Sequence, residues 1–330
     1  MAQAVATTRS HKAKGSRPDS PAIPPGWTMN PSEPKRRLIL ALLAAMGFLT
    51  AGYLALYQTN VVSNVWEPFF GNGSKVILDS SLSRKLPVPD AALGAAAYFV
   101  DALLQFAGGE DRWRSHPWFV LFNGATAIGL GVTALILMIM QPIAYGTYCS
   151  LCLFSAFISI NLVGPTMEEC LAALQYLGRK YTSPTERQQE QLIEQIGEPE
   201  HPAVVSSWDA TGIRLRHLVG VAIGLWLMAS PAAIGFAGYA RADMRITGPI
   251  VVVLSVLAIW PATRWFARLN AFAGGWMMIG PILLQAEHLL LFSIILLGAV
   301  VVSLAVFPGS AERQIGGGWI GILGPGSDVP

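Results

Sequence analysis

No Asp, Glu, Lys or Arg occurs over residues 38–66, and none again over residues 117–167. A helix that spans a bilayer needs about 20 consecutive apolar residues, so the second run alone has room for two spans. Charged residues make up 13% of the chain, against roughly 25% in soluble domains. The pattern predicts an all-α, polytopic membrane protein of about eight transmembrane helices. The apolar segments lie at 38–57, 91–107, 118–143, 148–165, 218–237, 248–262, 269–284 and 288–307. A net charge of +2 without a basic stripe gives no nucleic-acid signal.

Basic residues orient these segments. With the N-terminus cytoplasmic, 17 Lys and Arg fall on the inside and 5 on the outside, as the positive-inside rule requires. The expected organisation is a disordered cytoplasmic tail over 1–34, a four-helix domain over 35–167 and a cytoplasmic linker over 168–213. A second four-helix domain over 214–309 and a C-terminal tail over 310–330 complete it. The tail has no apolar core before Leu38, so the first apolar segment is read as a retained helix and not a cleaved signal.

The second half repeats itself. Gly224-Leu225-Trp226-Leu227-Met228-Ala229-Ser230-Pro231 returns fifty residues later as Gly274-Gly275-Trp276-Met277-Met278-Ile279-Gly280-Pro281, and Gly248 matches Gly298 at the same offset. Two tandem two-helix units explain this, with glycines for close helix approach and prolines that kink or end each first helix. The half resembles the SPW repeat family of bacterial membrane proteins, with Ala232 in place of that motif's Trp; the resemblance brings no activity with it.

Chemistry is concentrated at Cys149 and Cys152. Three residues apart at a helix start, two cysteines can close a disulfide, and the helix dipole favours a thiolate there. Thr147 is the expected N-cap, and the topology puts the pair on the outer side, where bacterial disulfide chemistry occurs. Two readings compete with a redox dithiol. A zinc site lacks further ligands, since the five histidines at 11, 116, 201, 217 and 288 are scattered; no metal site is expected. An inert packed pair is the other. Cys170 reads as an unpaired thiol. Asp101, near mid-span, is costly as a bare carboxylate; partnering, protonation and proton handling all stay open. Asn123 and Asn161 are expected to bond between helices.

Residues 38–163 resemble the vitamin K epoxide reductase family. The carrying residues are Gly71-Asn72-Gly73-Ser74-Lys75-Val76-Ile77-Leu78-Asp79-Ser80-Ser81, then Val88-Pro89-Asp90-Ala91-Ala92-Leu93-Gly94, Tyr98, and Cys149 with Cys152. The resemblance implies an enzyme, a quinone-linked thiol–disulfide oxidoreductase in the bacterial inner membrane. Its four helices would surround a quinone of the ubiquinone or menaquinone type. Cys149 would face a thioredoxin-like partner and Cys152 the quinone, while Asp90 stands where the family has a quinone-bonding Asn. Two departures stand out: residues 58–90 lack the family's loop cysteine pair, with Gly73 about where the second would be, and Ala156 replaces a pocket Tyr. A non-catalytic scaffold with a degenerate oxidoreductase fold is the alternative.

Overall fold

A computed structural model describes residues 23–81, 83, 87–182, 211–234, 238–284, 288–306, 315, 318, 319 and 322. The first half contains α1 (Pro34–Gln58), a short α2 (Gly73–Leu78), α3 (Asp90–Phe106), the single turn α4 (Arg112–Ser115), α5 (Pro117–Tyr145) and α6 (Ser150–Thr182). The second contains α7 (Thr211–Ile234), α8 (Gly238–Leu257), a 3-10 turn (Pro261–Thr263), α9 (Phe266–Leu283) and α10 (His288–Val306). Among the described residues there is no strand, only one antiparallel bridge between Trp27 and Ile315. The protein is an all-α membrane protein, and α1, α5 and α6 are long and apolar enough to cross a bilayer. Each of the eight apolar segments lies largely on a helix among the described residues.

Burial runs opposite to the habit of soluble bundles. Small residues face inward, among them Ala44, Ala51, Ala95 and Ala127, while Leu49, Phe99, Val132 and Ile136 point outward. Lipid solvates large apolar side chains as well as a core does, so helix association rests on close packing between small residues. Gly47 shows the principle: a Cβ there would lie 2.6 Å from the Tyr98 ring, so α1 and α3 meet only because that position is glycine. The Tyr98 hydroxyl then donates to the Ser155 carbonyl at 2.6 Å and pairs with Ser159 Oγ at 2.5 Å, tying α3 to α6.

At the end opposite the cysteines, five charged side chains are drawn into or against the bundle. Arg112 is fully buried and grips Glu169 through Nε at 2.5 Å. Arg36 pairs with Glu168, and Ser32 donates to Glu169. Arg37 spends its guanidinium on the carbonyls of Gln105, Ala107 and Gly108, at 2.7, 2.8 and 2.9 Å, which the end of α3 leaves unpaired. This network bears on two expectations. Glu168 and Glu169, the expected start of a partly helical linker, lie within α6, which, with both neutralised by Arg36 and Arg112, continues to Thr182. Residues 23–33 also pack rather than trail, with Trp27 Nε1 donating to Gln175 Oε1 at 2.8 Å. Residues 1–22 and 183–210 lie outside the described part.

The fifty-residue repeat has a structural basis. A Cβ on Gly224 would stand 2.8 Å from the Gly248 carbonyl oxygen, and one on Gly274 would stand 2.9 Å from that of Gly298. Each unit is thus a hairpin crossing at a glycine pair. Helices α7 and α9 end three and two residues beyond Pro231 and Pro281. Met228 and Met277 are packing residues, as expected. Helix α8 starts ten residues earlier than the apolar segment at 248–262, so residues 239–245 are helix and not loop, and it stops at Leu257 ahead of Pro261.

Replacing Gly224 or Gly274 with Leu should cost about 1–3 kcal/mol through overpacking. Gly275→Ala, where a Cβ meets nothing within 4 Å, should be neutral. Thermal unfolding in detergent compares the three.

Candidate functional site

Helix α6 begins at Ser150, which places Cys149 at the cap position itself. Thr147 is therefore not the N-cap. The cysteine does that work: its Sγ accepts the Cys152 N–H at 3.1 Å and its carbonyl accepts the Leu153 N–H at 2.9 Å, the arrangement a capping side chain adopts toward the third helical N–H. Its own N–H is satisfied by Gln141 Oε1 of α5 at 3.0 Å. Helix α5 stops just ahead because Gly146 takes φ 69°, a left-handed terminator, and returns its N–H to the Pro142 carbonyl. Cys149 and Cys152 form a disulfide with a Cα–Cα distance of 5.2 Å.

The two sulfurs have different surroundings. Cys149 is fully covered, whereas Cys152 is half-buried. Cys152 packs at the edge of an apolar cluster built from Leu54, Val65 and Leu78, flanked by Tyr53, Tyr57 and Ala91. This wall comes from α1, α2 and α3 and is aromatic and apolar, the lining that suits a flat hydrophobic ring.

The loop that carries α2 forms a cover over this turn, lying against Tyr148 and Ser150 on either side of Cys149. Gly73 opens α2 and lies against the chain just before Cys149: a Cβ there would be 2.0 Å from the Tyr148 carbonyl oxygen and 2.8 Å from Thr147 Oγ1. The position expected to match a loop cysteine does sit beside the pair, but it has no room for a side chain.

A residue that the sequence reading missed locks this cover. The Glu67 carboxylate accepts the Phe69 N–H at 3.2 Å, the Phe70 N–H at 3.1 Å, the Ser150 N–H at 3.0 Å and the hydroxyls of Ser74 and Ser150. It joins the loop, α2 and the first residue of α6. Burial pushes its pKa up, but the bonds from Ser150, Ser74 and Phe69 outweigh this and hold it at about 2, against an ordinary 4.5. One signal was available: Glu67 is the lone charged residue between Arg37 and Lys75.

Asp90 lies on the same rim, as the first residue of α3. Its Oδ1 accepts from Gln58 Nε2 at 2.6 Å, Ser83 Oγ at 2.7 Å and the Ala91 N–H at 2.8 Å. That oxygen is therefore engaged in holding the loop to α1 and α3. Asp101 is fully buried in α3, one turn beyond Tyr98, and neither carboxylate oxygen has a hydrogen-bond partner among the described residues. Neither amide expectation holds. Asn123 is buried with no hydrogen-bond partner for its amide among the described residues, and Asn161 donates to the Phe157 carbonyl of its own helix at 2.8 Å. Cys170 is a free buried thiol donating to the Val120 carbonyl at 3.3 Å. A cavity of about 800 Å³ lies elsewhere, between the two halves.

Glu67 should make the cover acid-sensitive. A depressed carboxyl pKa adds stability above its unfolded value, lost as pH falls through the folded value, so cover docking should be complete above about 4.5 and fail toward 2. Phosphine reduction of the disulfide, followed against pH, should speed up across that window. Glu67→Gln should abolish this pH dependence. In the reduced protein it should also speed alkylation of the pair several-fold at neutral pH, because a negative charge leaves the helix terminus where a thiolate forms. Gly73→Ala should loosen the cover by about 1–3 kcal/mol and expose Cys149 to the same reductant, while Gly52→Ala, which meets nothing within 4 Å, should not.

No curated protein and no solved structure matches the chain. The sequence model of the Vitamin K epoxide reductase family matches residues 38–166, the part that contains the disulfide, its cover and the wall beside Cys152. That of the SPW repeat domain matches residues 214–308, the two glycine-crossed hairpins. The chain therefore carries a Vitamin K epoxide reductase family domain fused to an SPW repeat domain.

Proposed function

We propose that the protein is a membrane enzyme that exchanges electrons between a thioredoxin-like partner and a quinone through Cys149 and Cys152, with the pair on the outer face of a bacterial inner membrane. One observation carries this reading: a disulfide caps a helix N-terminus, with one sulfur under a clamped loop and the other against an aromatic, apolar wall. The family of the first domain supports a thiol–disulfide oxidoreductase.

The two environments divide the labour. A partner thiolate attacks Cys149 Sγ, the Cys149–Cys152 bond breaks, and Cys152 leaves as a thiolate stabilised at the helix start. The partner's second thiolate attacks the mixed disulfide at the partner's own sulfur and releases Cys149. The partner is then oxidised and the pair holds two more electrons. A quinone of the ubiquinone or menaquinone type supplies the two-electron, two-proton acceptor that restores the disulfide. Tyr53, Tyr57 and Leu54 would hold its ring beside Cys152. Asp90 would order the loop that closes the rim. Since Cys149 is covered, its reaction requires the α2 cover to lift, and the clamp at Glu67 sets how readily it does.

Gly73 favours a second reading. The place of a relay cysteine is filled by backbone, as it would be in a scaffold that has stopped reacting. The two readings separate in the envelope of living cells. A working pair changes oxidation state when the quinone pool is reduced; an inert pair does not.

Cys149→Ser should abolish dithiol oxidation coupled to quinone, and Cys152→Ser, whose lone Cys149 thiolate attacks the partner's disulfide form and displaces one of its sulfurs, should accumulate a mixed disulfide seen on non-reducing gels. Normal quinone reduction by both variants would eliminate the redox reading.

A further inference from the structure

We propose that the crevice between the two halves binds an anionic phospholipid of the leaflet opposite the cysteines. Its walls are Gly131 and Leu135 of α5, Val163 and Met167 of α6, and Val253 and Leu257 of α8, enclosing about 800 Å³. That volume lies within the range of roughly 300–1,000 Å³ found for small-molecule sites. The crevice is not the redox site. Val163 lies eleven residues beyond Cys152 on α6, which at 1.5 Å per residue is about 16 Å along the helix.

Its mouth differs in chemistry from its walls. Arg264, from the turn between α8 and α9, and Arg268, in the first turn of α9, line it together with Trp265 and Trp319, and among the described residues no acidic side chain does. Arg264 is only 5% exposed, so its charge is held at the wall and not trailing in water. The carboxylates nearest in sequence to the lining residue Met167 are Glu168 and Glu169. Both already face their own arginines, Arg36 and Arg112, so they do not cancel the charge at the mouth. Indole rings at this level are typical of the membrane interface. Basic pockets between helices with apolar depth are the arrangement that takes an anionic headgroup while an acyl chain fills the interior. The lipid would also act as mortar between the halves, because α5 and α6 contribute one side and α8 the other. This site is independent of the redox reading.

Native mass spectrometry of the delipidated full chain, titrated with phosphatidylglycerol or phosphatidylcholine, tests it. Phosphatidylglycerol should bind at least several-fold more tightly and raise the unfolding temperature. Arg268→Gln, at an exposed position, should reduce phosphatidylglycerol binding toward that of phosphatidylcholine and leave the latter unchanged. Arg264→Gln should do the same more strongly if it folds. Val132→Trp, on the exposed rim of the crevice, should weaken both lipids by filling it. Equal binding of the two headgroups, indifference to both Arg268→Gln and Val132→Trp, or displacement of bound lipid by an uncharged isoprenoid quinone would overturn the proposal.

Discussion

The first turn of α6 is the point on which the rest of the molecule depends. Four N–H groups there, those of residues 149–152, would lack partners in an isolated helix, and three of them are met by named groups. Here the Cys152 N–H goes to the Cys149 sulfur and the Ser150 N–H to Glu67, while the N–H of Cys149 itself goes to Gln141. The same contacts that satisfy the backbone also bind the α2 loop, α5 and the disulfide into one unit. Breaking the disulfide removes a covalent constraint from that unit but leaves the clamp. Under the proposed function, access to the disulfide is governed by Glu67 and Gly73 and not by the sulfur chemistry alone.

The opposite end solves a different problem. Buried charges are costly unless paired and hydrogen-bonded. Arg112 and Glu169 are matched side by side, and Arg37 is consumed by carbonyls at the end of α3. The result is a charge-paired floor under the first half's bundle. The SPW repeat half leans on the outer side of α5 and α6, where the Trp260 ring lies against Gly164, whose Cβ would fall 1.9 Å from the ring. The fusion is therefore a packed joint and not two modules on a string.

Much of this was legible in the sequence because the bilayer leaves few options. Long charge-free runs become helices when every backbone group must be satisfied internally, and the repeat announced its glycine crossings through Gly224, Gly248, Gly274 and Gly298. The CxxC and its family resemblance located the disulfide. What remained hidden depends on partners distant in the chain. Glu168 and Glu169 look like the start of a polar linker until Arg36 and Arg112 are placed beside them. Glu67 looks like a loop charge until Ser150, eighty-three residues on, is brought to it. Thr147 fits the rule for a cap, yet sulfur took that role. Asn123 and Asn161 were read from residue type alone, and type does not say which way a side chain faces.

The most direct test is stoichiometric. The purified protein is reduced, freed of reductant under anaerobic conditions and mixed with a soluble short-chain quinone, whose absorbance is followed by stopped flow. One quinone reduced per protein, with simultaneous return of the Cys149–Cys152 disulfide and no reaction after thiol alkylation, is the predicted result. A pair that stays reduced in the presence of excess quinone would contradict the account.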